Sequence, residues 1–188
     1  MRVRVLTINV QNDEGDPRRS EVLNRGLREL ASDLVAFQEV LRSPEREQLA
    51  ELLVGLELRG THQAEMLAYE PPFADRYGGS ALASRWPYRI VEALDLRGSD
   101  APDVPWCALA AAIELPCEGE LLFIAPTTAW RPAAEATRQR QVVALTDLDI
   151  RHRRQLPTIV AGDFNAFRFR LRRRRGAVRS LSGAAISY

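Results

Sequence analysis

A carboxylate and an amide two residues apart, Asp163 and Asn165, close the stretch Thr158-Ile159-Val160-Ala161-Gly162-Asp163-Phe164-Asn165-Ala166. In an extended strand alternate side chains share a face, so the two groups would point to the same side. Gly162 leaves room at that edge for a ligand or for another stretch of backbone. Two earlier segments have the same design. Thr7-Ile8-Asn9-Val10-Gln11-Asn12 and Leu34-Val35-Ala36-Phe37-Gln38-Glu39-Val40 each run apolar and then present amides or an acid. One polar strand end means only that the strand meets water. Three of them, each with a hard oxygen ligand, would line one mouth with Asn9, Glu39, Asp163 and Asn165. One or two carboxylates with neutral oxygens suit magnesium, with manganese as the alternative. Such an ion neutralises charge that develops on a transferring phosphoryl group, so the chemistry implied is phosphoryl transfer.

The elements that must position these residues read as alternating strands and helices. Residues 2–10 form a strand with Val3, Val5 and Thr7 on one face and Leu6, Ile8 and Val10 on the other. Apolar residues on both faces predict a central strand covered on both sides. A turn cluster follows, then a helix from Pro17 or Arg18 with Val22, Leu23, Leu27 and Leu30 inward. The second strand, 33–40, closes on Gln38-Glu39. A helix over 44–54 buries Leu49, Leu52 and Leu53. Strands are expected near 58–68, 78–84 and 88–95, a Gly/Pro/Asp loop over 97–105, and a hairpin from 106–115 and 120–126. Arg131-Pro132 opens the longest helix, which runs to about Arg153 with Val142, Leu145 and Leu148 as its inward stripe. Pro157 ends it and begins the strand that leads to Asp163.

Gly162-Asp163-Phe164-Asn165-Ala166 after an apolar strand resembles the hallmark of the endonuclease/exonuclease/phosphatase superfamily, which has the deoxyribonuclease-like fold. Other landmarks fall in the same order: Asn9 after the first strand, Gln38-Glu39, the glycine-to-Ser84-Arg85-Trp86-Pro87 segment, and Arg138-x-x-Gln141 before Gly162. The resemblance covers residues 1–166. It implies that Glu39, with Asn9 close by, holds the ion. Asp163 orients or deprotonates the attacking water, and Asn165 hydrogen-bonds the phosphate. It also points to Arg85 and Thr128 as substrate contacts, although a strand-end role for Thr128 stays open.

The chain departs from the family pattern in two places. Where relatives carry a histidine, the strand before the long helix reads Pro126-Thr127-Thr128-Ala129-Trp130, with alanine in its place. The 23 residues after Asn165 contain no Asp, Glu or His, so the closing Asp-His pair of the family is missing. His62, in a strand pattern, and His152, at a helix end among arginines, do not substitute. The expectation is an enzyme slowed by about 10²–10⁴-fold.

Composition sets the remaining bounds. A chain of 188 residues, 46% hydrophobic and 27% charged, reads as one globular domain. No apolar run is long enough to span a membrane, and the start lacks a signal peptide's pattern. A cytoplasmic monomer is expected. Cys107 and Cys117 form neither a disulfide framework nor a zinc pattern. All 26 basic residues are arginine; seven of them (168, 170, 172–175 and 179) follow Asp163, while all 25 acids lie at or before it. The domain is therefore assigned to 1–166, and 167–188 is an Arg-rich tail. That tail reads as an amphipathic strand through Phe167, Phe169 and Leu171, as a solvated arm that would attract nucleic-acid phosphates, or as a disturbed end.

The expected architecture is a four-layer α/β/β/α sandwich: two mixed sheets face to face with helices outside, the second sheet incomplete on its C-terminal side. The expected function is magnesium-dependent hydrolysis of a phosphate ester, as a phosphodiesterase, nuclease or phosphatase. The alternative is a catalytically silent domain that binds phosphate or nucleic acid.

Overall fold

The computed structural model describes residues 1–12, 15–16, 18–67, 77–97, 106–116, 119–154 and 156–166. Two mixed sheets carry the chain. The first has the order β1 (Val5–Asn9), β2 (Leu34–Ser43), β5 (Tyr77–Ser84), β4 (Arg59–His62), with the two-residue β3 (Arg46–Glu47) hairpinned onto β2. In the second, β6 (Tyr88–Asp95), β7 (Cys107–Leu115), β8 (Gly119–Pro126) and β9 (Thr158–Val160) lie side by side. β1 runs parallel to β2 and β9 parallel to β8, and the other pairings are antiparallel.

Strand alternation sorts the apolar residues into three cores. Leu34, Ala36 and Leu82 from the first sheet meet Leu109, Ala111, Ile113, Leu121 and Phe123 from the second, which makes the inter-sheet layer. The outer face of the first sheet, Val35, Phe37, Val40, Ala81 and Ala83, packs with Leu27 of α1 (Arg19–Leu30) and with Leu49 and Leu52 of α2 (Gln48–Leu53). The outer face of the second, Ala108, Ala110, Leu122 and Ile124, receives Leu145 and Leu148 of α3 (Glu135–Arg153). The expected four layers are present. β7 is rich in alanine, with Ala108, Ala110, Ala111 and Ala112 all buried. Cys107 is wholly buried there as a free thiol, and burial drives its ionisation far above the ordinary range.

Several sequence expectations change in detail. Among the described residues β1 pairs only with β2; Leu6 and Ile8 pack on the helix layer, while Val5 and Thr7 stay exposed. In α1, Leu27 is buried and Leu23 half-buried, but Val22 and Leu30 face water. α2 is shorter than expected because Arg46 and Glu47 are drawn into pairing with β2. In α3 the inward face is Thr137, Arg138, Gln141, Leu145 and Leu148, and Val142 lies outside it. Cys117, most of the 97–105 loop and the 167–188 tail lie outside the described residues. No helix is long and apolar enough to cross a membrane among those described.

Candidate active site

Regular alternation along β2 would send Glu39 to the same side as Val35 and Phe37, into the apolar layer under α1 and α2. A bulge prevents this. The β2–β5 register shifts between Phe37 and Val40, and Glu39 adopts a left-handed φ of 55°. Val40 then takes the inward position beside Val35 and Phe37, and Glu39 turns to the end of the inter-sheet layer, which is what a bulge does to a side chain. There the Asn9 amide Nδ2 donates to Glu39 Oε1 at 2.9 Å. Asn9 points the same way by simple alternation with Thr7.

Several contacts hold the bulge. The Glu39 carbonyl accepts from Asn12 N at 2.7 Å. Gln48 bridges the two segments: its Oε1 accepts from Leu41 N at 2.7 Å and its Nε2 donates to the Asn12 carbonyl at 2.6 Å. His62 Nδ1 accepts from Ala64 N, so the ring hydrogen lies on Nε2, which donates to the Val40 carbonyl at 3.1 Å. Burial is the main cause that lowers the His62 pKa to about 4. The nearby Arg42 charge adds to this, against the opposing effects of the Val40 carbonyl and Glu47. Gln11 and Asn12 also have left-handed φ, 53° and 51°. Asparagine tolerates that region, but for Gln11 and Glu39 it is a strained conformation of the kind found at functional sites.

The second sheet brings its acid by another route. β9 ends at Val160, so Asp163 and Asn165 are not alternate residues of a strand. They sit on a turn that an isolated bridge, Thr127 with Asp163, fixes to the end of β8. Asp163 N donates to the Pro126 carbonyl at 3.0 Å, and Thr128 N donates to the Asp163 carbonyl at 2.9 Å. Asn165 N donates to Asp163 Oδ1 at 2.9 Å, and Asn165 Nδ2 to the Thr128 carbonyl at 2.9 Å. The close approach that Gly162 permits is to backbone: a Cβ there would strike the Pro126 carbonyl.

Behind this turn, α3 fixes the next residues. Arg138 donates through Nη1 to the carbonyls of Ala129 (3.0 Å) and Arg131 (2.8 Å) and pairs with Glu135 at 2.9 Å. Gln141 accepts from Ala129 N at 2.9 Å and donates to the Leu96 carbonyl at 2.9 Å. The Arg-x-x-Gln spacing places both polar side chains on one helix face, in line with Leu145 and Leu148.

The two half-sites meet. Asn9 Nδ2 lies 3.5 Å from Asp163 Oδ2 as well as 2.9 Å from Glu39, so one amide joins the two carboxylates. Nearby, Ser80 Oγ and Thr127 Oγ1 form a 2.6 Å strap between the sheets, and Gln38 is buried with its Nε2 unsatisfied. Among the described residues neither Glu39 nor Asp163 has a basic side chain in ion-pair range, and no three His, Cys, Asp or Glu cluster together. Two acids joined through a neutral amide, with no counter-cation among the described residues, fit a hard divalent cation that keeps several waters.

The sequence-derived candidates separate accordingly. Asn9, Glu39, Asp163 and Asn165 are brought together. Thr128 is buried, and its hydroxyl is directed at the Asp163 carbonyl, 3.4 Å away, so it fastens the turn. Arg85 is at the other end of β2, where its guanidinium pairs with Asp33 at 3.0 Å and its N–H donates to the Asp33 carbonyl. It is not part of the mouth, because the Ser84-Arg85 end of β5 lies opposite Leu34 and not opposite Glu39. His152 is held by Glu92 at 2.7 Å. Sequence reasoning missed Gln48 and Ser80 as supports. The available signal was a polar residue inside an otherwise apolar element. A separate cleft of about 330 Å³ is lined, among the described residues, by Arg59, Thr61, Pro87, Tyr88 and Ile90.

Comparison with known proteins agrees with this architecture. The family model described as "Endonuclease/Exonuclease/phosphatase family" matches residues 6–185. Its match runs into the segment set apart above as a tail. The catalytic domain of human Nocturnin with bound sulfate superposes with a TM-score of 0.68 at 20% identity, over 88% of this chain and 64% of that one. D. rerio TDP2 complexed with single-strand DNA product gives 0.65 at 15% identity, over 88% and 62%. The Bacteroides thetaiotaomicron mannosyl-6-phosphatase Bt3783 gives 0.63 at 19%, over 87% and 66%. The likeness is one of fold, and the chain spans less than two thirds of each of these three structures. No curated protein matches it.

Proposed function

Because the chain belongs to the endonuclease/exonuclease/phosphatase family, we propose that its mouth hydrolyses a phosphate ester with the help of a divalent cation, magnesium or manganese. The observation that carries this reading is the Asn9 amide joined to both Glu39 and Asp163. Residues 1–166 hold every group the reading uses. With Asn9 close by orienting its carboxylate through Nδ2, Glu39 would hold the ion. When bound, it neutralises charge on the phosphate oxygens as the ester breaks.

The remaining roles follow from which atoms are committed. Asp163 Oδ1 is engaged by Asn165 N, while among the described residues Oδ2 has only the long contact from Asn9. Oδ2 is therefore the atom to orient a water and accept its proton as the water oxygen attacks phosphorus. Asn165 gives one amide hydrogen to Thr128 and has a second to offer a phosphate oxygen. The ester oxygen departs with the bonding pair and takes its proton from solvent. Ala129 carries no acid, and its backbone N–H is taken by Gln141. Positioning and electrostatic stabilisation carry most phosphoryl transfers, so these groups support turnover without an imidazole. The same Ala129 favours the second reading, a domain that binds a phosphoester without cleaving it.

Magnesium titration by calorimetry, with hydrolysis of bis-p-nitrophenyl phosphate, tests the proposal. The chain should bind magnesium and turn over only with it, and Glu39→Gln should lose both. Unchanged magnesium affinity in Glu39→Gln would remove Glu39 from the role. Equal turnover in excess chelator would sink the metal-dependent reading.

A further inference from the structure

We propose that Trp130 and Phe164 form a stacking shelf beside the mouth, which takes the planar bases of a single-stranded nucleic acid. The inference rests on the phosphoesterase reading and specifies its substrate class.

The observation is one of placement. Among the described residues the other tryptophans and phenylalanines are used for packing: Phe37, Trp106 and Phe123 are buried, and Trp86 is packed against the inter-sheet core. Trp130 and Phe164 are the exposed ones, at 54% and 37%. They stand on the two segments that build the second half of the mouth. Phe164 lies between Asp163 and Asn165. Trp130 is two residues beyond Thr128, whose N–H and carbonyl are bonded to Asp163 and Asn165, so its Cα is within about 8 Å of that junction.

The backbone that carries Trp130 is also fastened. Ala129 before Trp130 is fixed at both N–H and carbonyl by Gln141 and Arg138, and the Arg131 carbonyl after it is fixed by Arg138. An exposed indole on a mobile loop would mean little, but here the backbone on both sides of Trp130 is tied to α3. The Arg131 guanidinium lies over the Trp130 ring, 5.9 Å from its centroid, and supplies positive charge where a flanking phosphate would run. An aromatic on each of two stitched segments, beside a site built for a phosphoester, matches a strand in which planar bases alternate with phosphates. Base-on-aromatic stacking is tolerant of sequence, so the shelf would recognise bases without reading them.

The test uses the full chain carrying Asp163→Asn, which keeps the strand uncut, with magnesium present. Two probes of equal length are compared, an oligo-dT strand and an abasic strand, by fluorescence anisotropy and by quenching of tryptophan emission. The base-bearing strand should bind more tightly by about 5- to 100-fold. Trp130→Ala should erase that preference, Trp130→Phe should restore most of it, and Phe164→Ala should reduce it. Abasic binding should not respond to any of the three. Equal affinity for both strands in the parent chain overturns the shelf, as does equal loss for both in Trp130→Ala. Quenching by a hexose phosphate at lower concentration than by oligo-dT also overturns it. Failure of the hydrolytic reading looks different: base preference would persist while the chain with Asp163 intact cleaves no phosphate ester.

Discussion

The two sides of the mouth hold their carboxylates by opposite means. On the first sheet, Glu39 depends on a distorted strand: a bulge, a left-handed backbone, and buried Gln48 and His62 gripping the residues around it. On the second, Asp163 sits on a turn fastened to Pro126 and Thr128 by backbone bonds, and α3 braces the segment beyond. One side stores strain and the other is tied down. A strained side should fail through whatever releases the strain, whereas a fastened side should lose its ties one at a time.

The largest effect expected is at the reacting carboxylate. Asp163→Ala removes the group proposed to take the water's proton and should lower kcat by about 10²–10⁴-fold. Because the backbone ties remain, circular dichroism and melting temperature should change little. A collapse of the fold instead would mean that the side chain, and not the backbone, fastens this half.

The strained half should be sensitive to acid. His62 is neutral in the folded chain with a pKa of about 4, against 6.5 when unfolded. Between these values the unfolded chain takes up the proton first, so stability is complete above pH 6.5 and falls as the pH drops toward 4. The loss should reach about 3 kcal/mol. Urea melts at stepped pH should show this slope, and His62→Gln should remove it.

Arg138→Met tests the brace. It leaves the Ala129 and Arg131 carbonyls without their donor and should cost about 2 kcal/mol, with magnesium affinity at Glu39 unchanged in calorimetry. The smallest effect should come from Thr128→Val. Its hydroxyl contact to Asp163 is long, so the loss should stay near 0.5 kcal/mol in thermal melts. A loss as large as that for Arg138→Met would make the turn as dependent on one bond as the bulge is on His62.

How legible each half was in the sequence follows the same division. Gly162-Asp163-Phe164-Asn165 is a local motif; its glycine, acid and amide act on their neighbours, so residue type alone carries the meaning. Glu39 was identifiable as an acid after an apolar run, but its bulge was not, because a register shift depends on the partner strand β5. Alternation would have sent the same residue into the core. The helices erred for a related reason. Periodicity marks every apolar residue near a stripe, and the sheet beneath decides which are covered, so Val22, Leu30 and Val142 remain at the rim. On α3 the vacant inward places went to Arg138 and Gln141, polar residues that pattern reading assigns to solvent and that are buried here because backbone groups need them. Arg85 was carried by family resemblance alone, and its pairing with Asp33 is a contact across strands that no local motif encodes.

The one-sided pairing of β1 among the described residues has a consequence in time as well as in space. Asn9 ends β1 and Asp163 follows β9, and among the described residues each of these strands is hydrogen-bonded on one flank only. In the second sheet β7 and β8 separate β9 from β6, and both are buried along most of their length. Local opening starts where few backbone bonds must break, so amide protons of β1 and β9 should exchange with deuterium well before those of β7 and β8. The Asn9–Asp163 contact spans the two fraying strands. The mouth would therefore come apart and reassemble many times within the lifetime of a single folded molecule, while the alanine-lined centre of the sandwich stays shut.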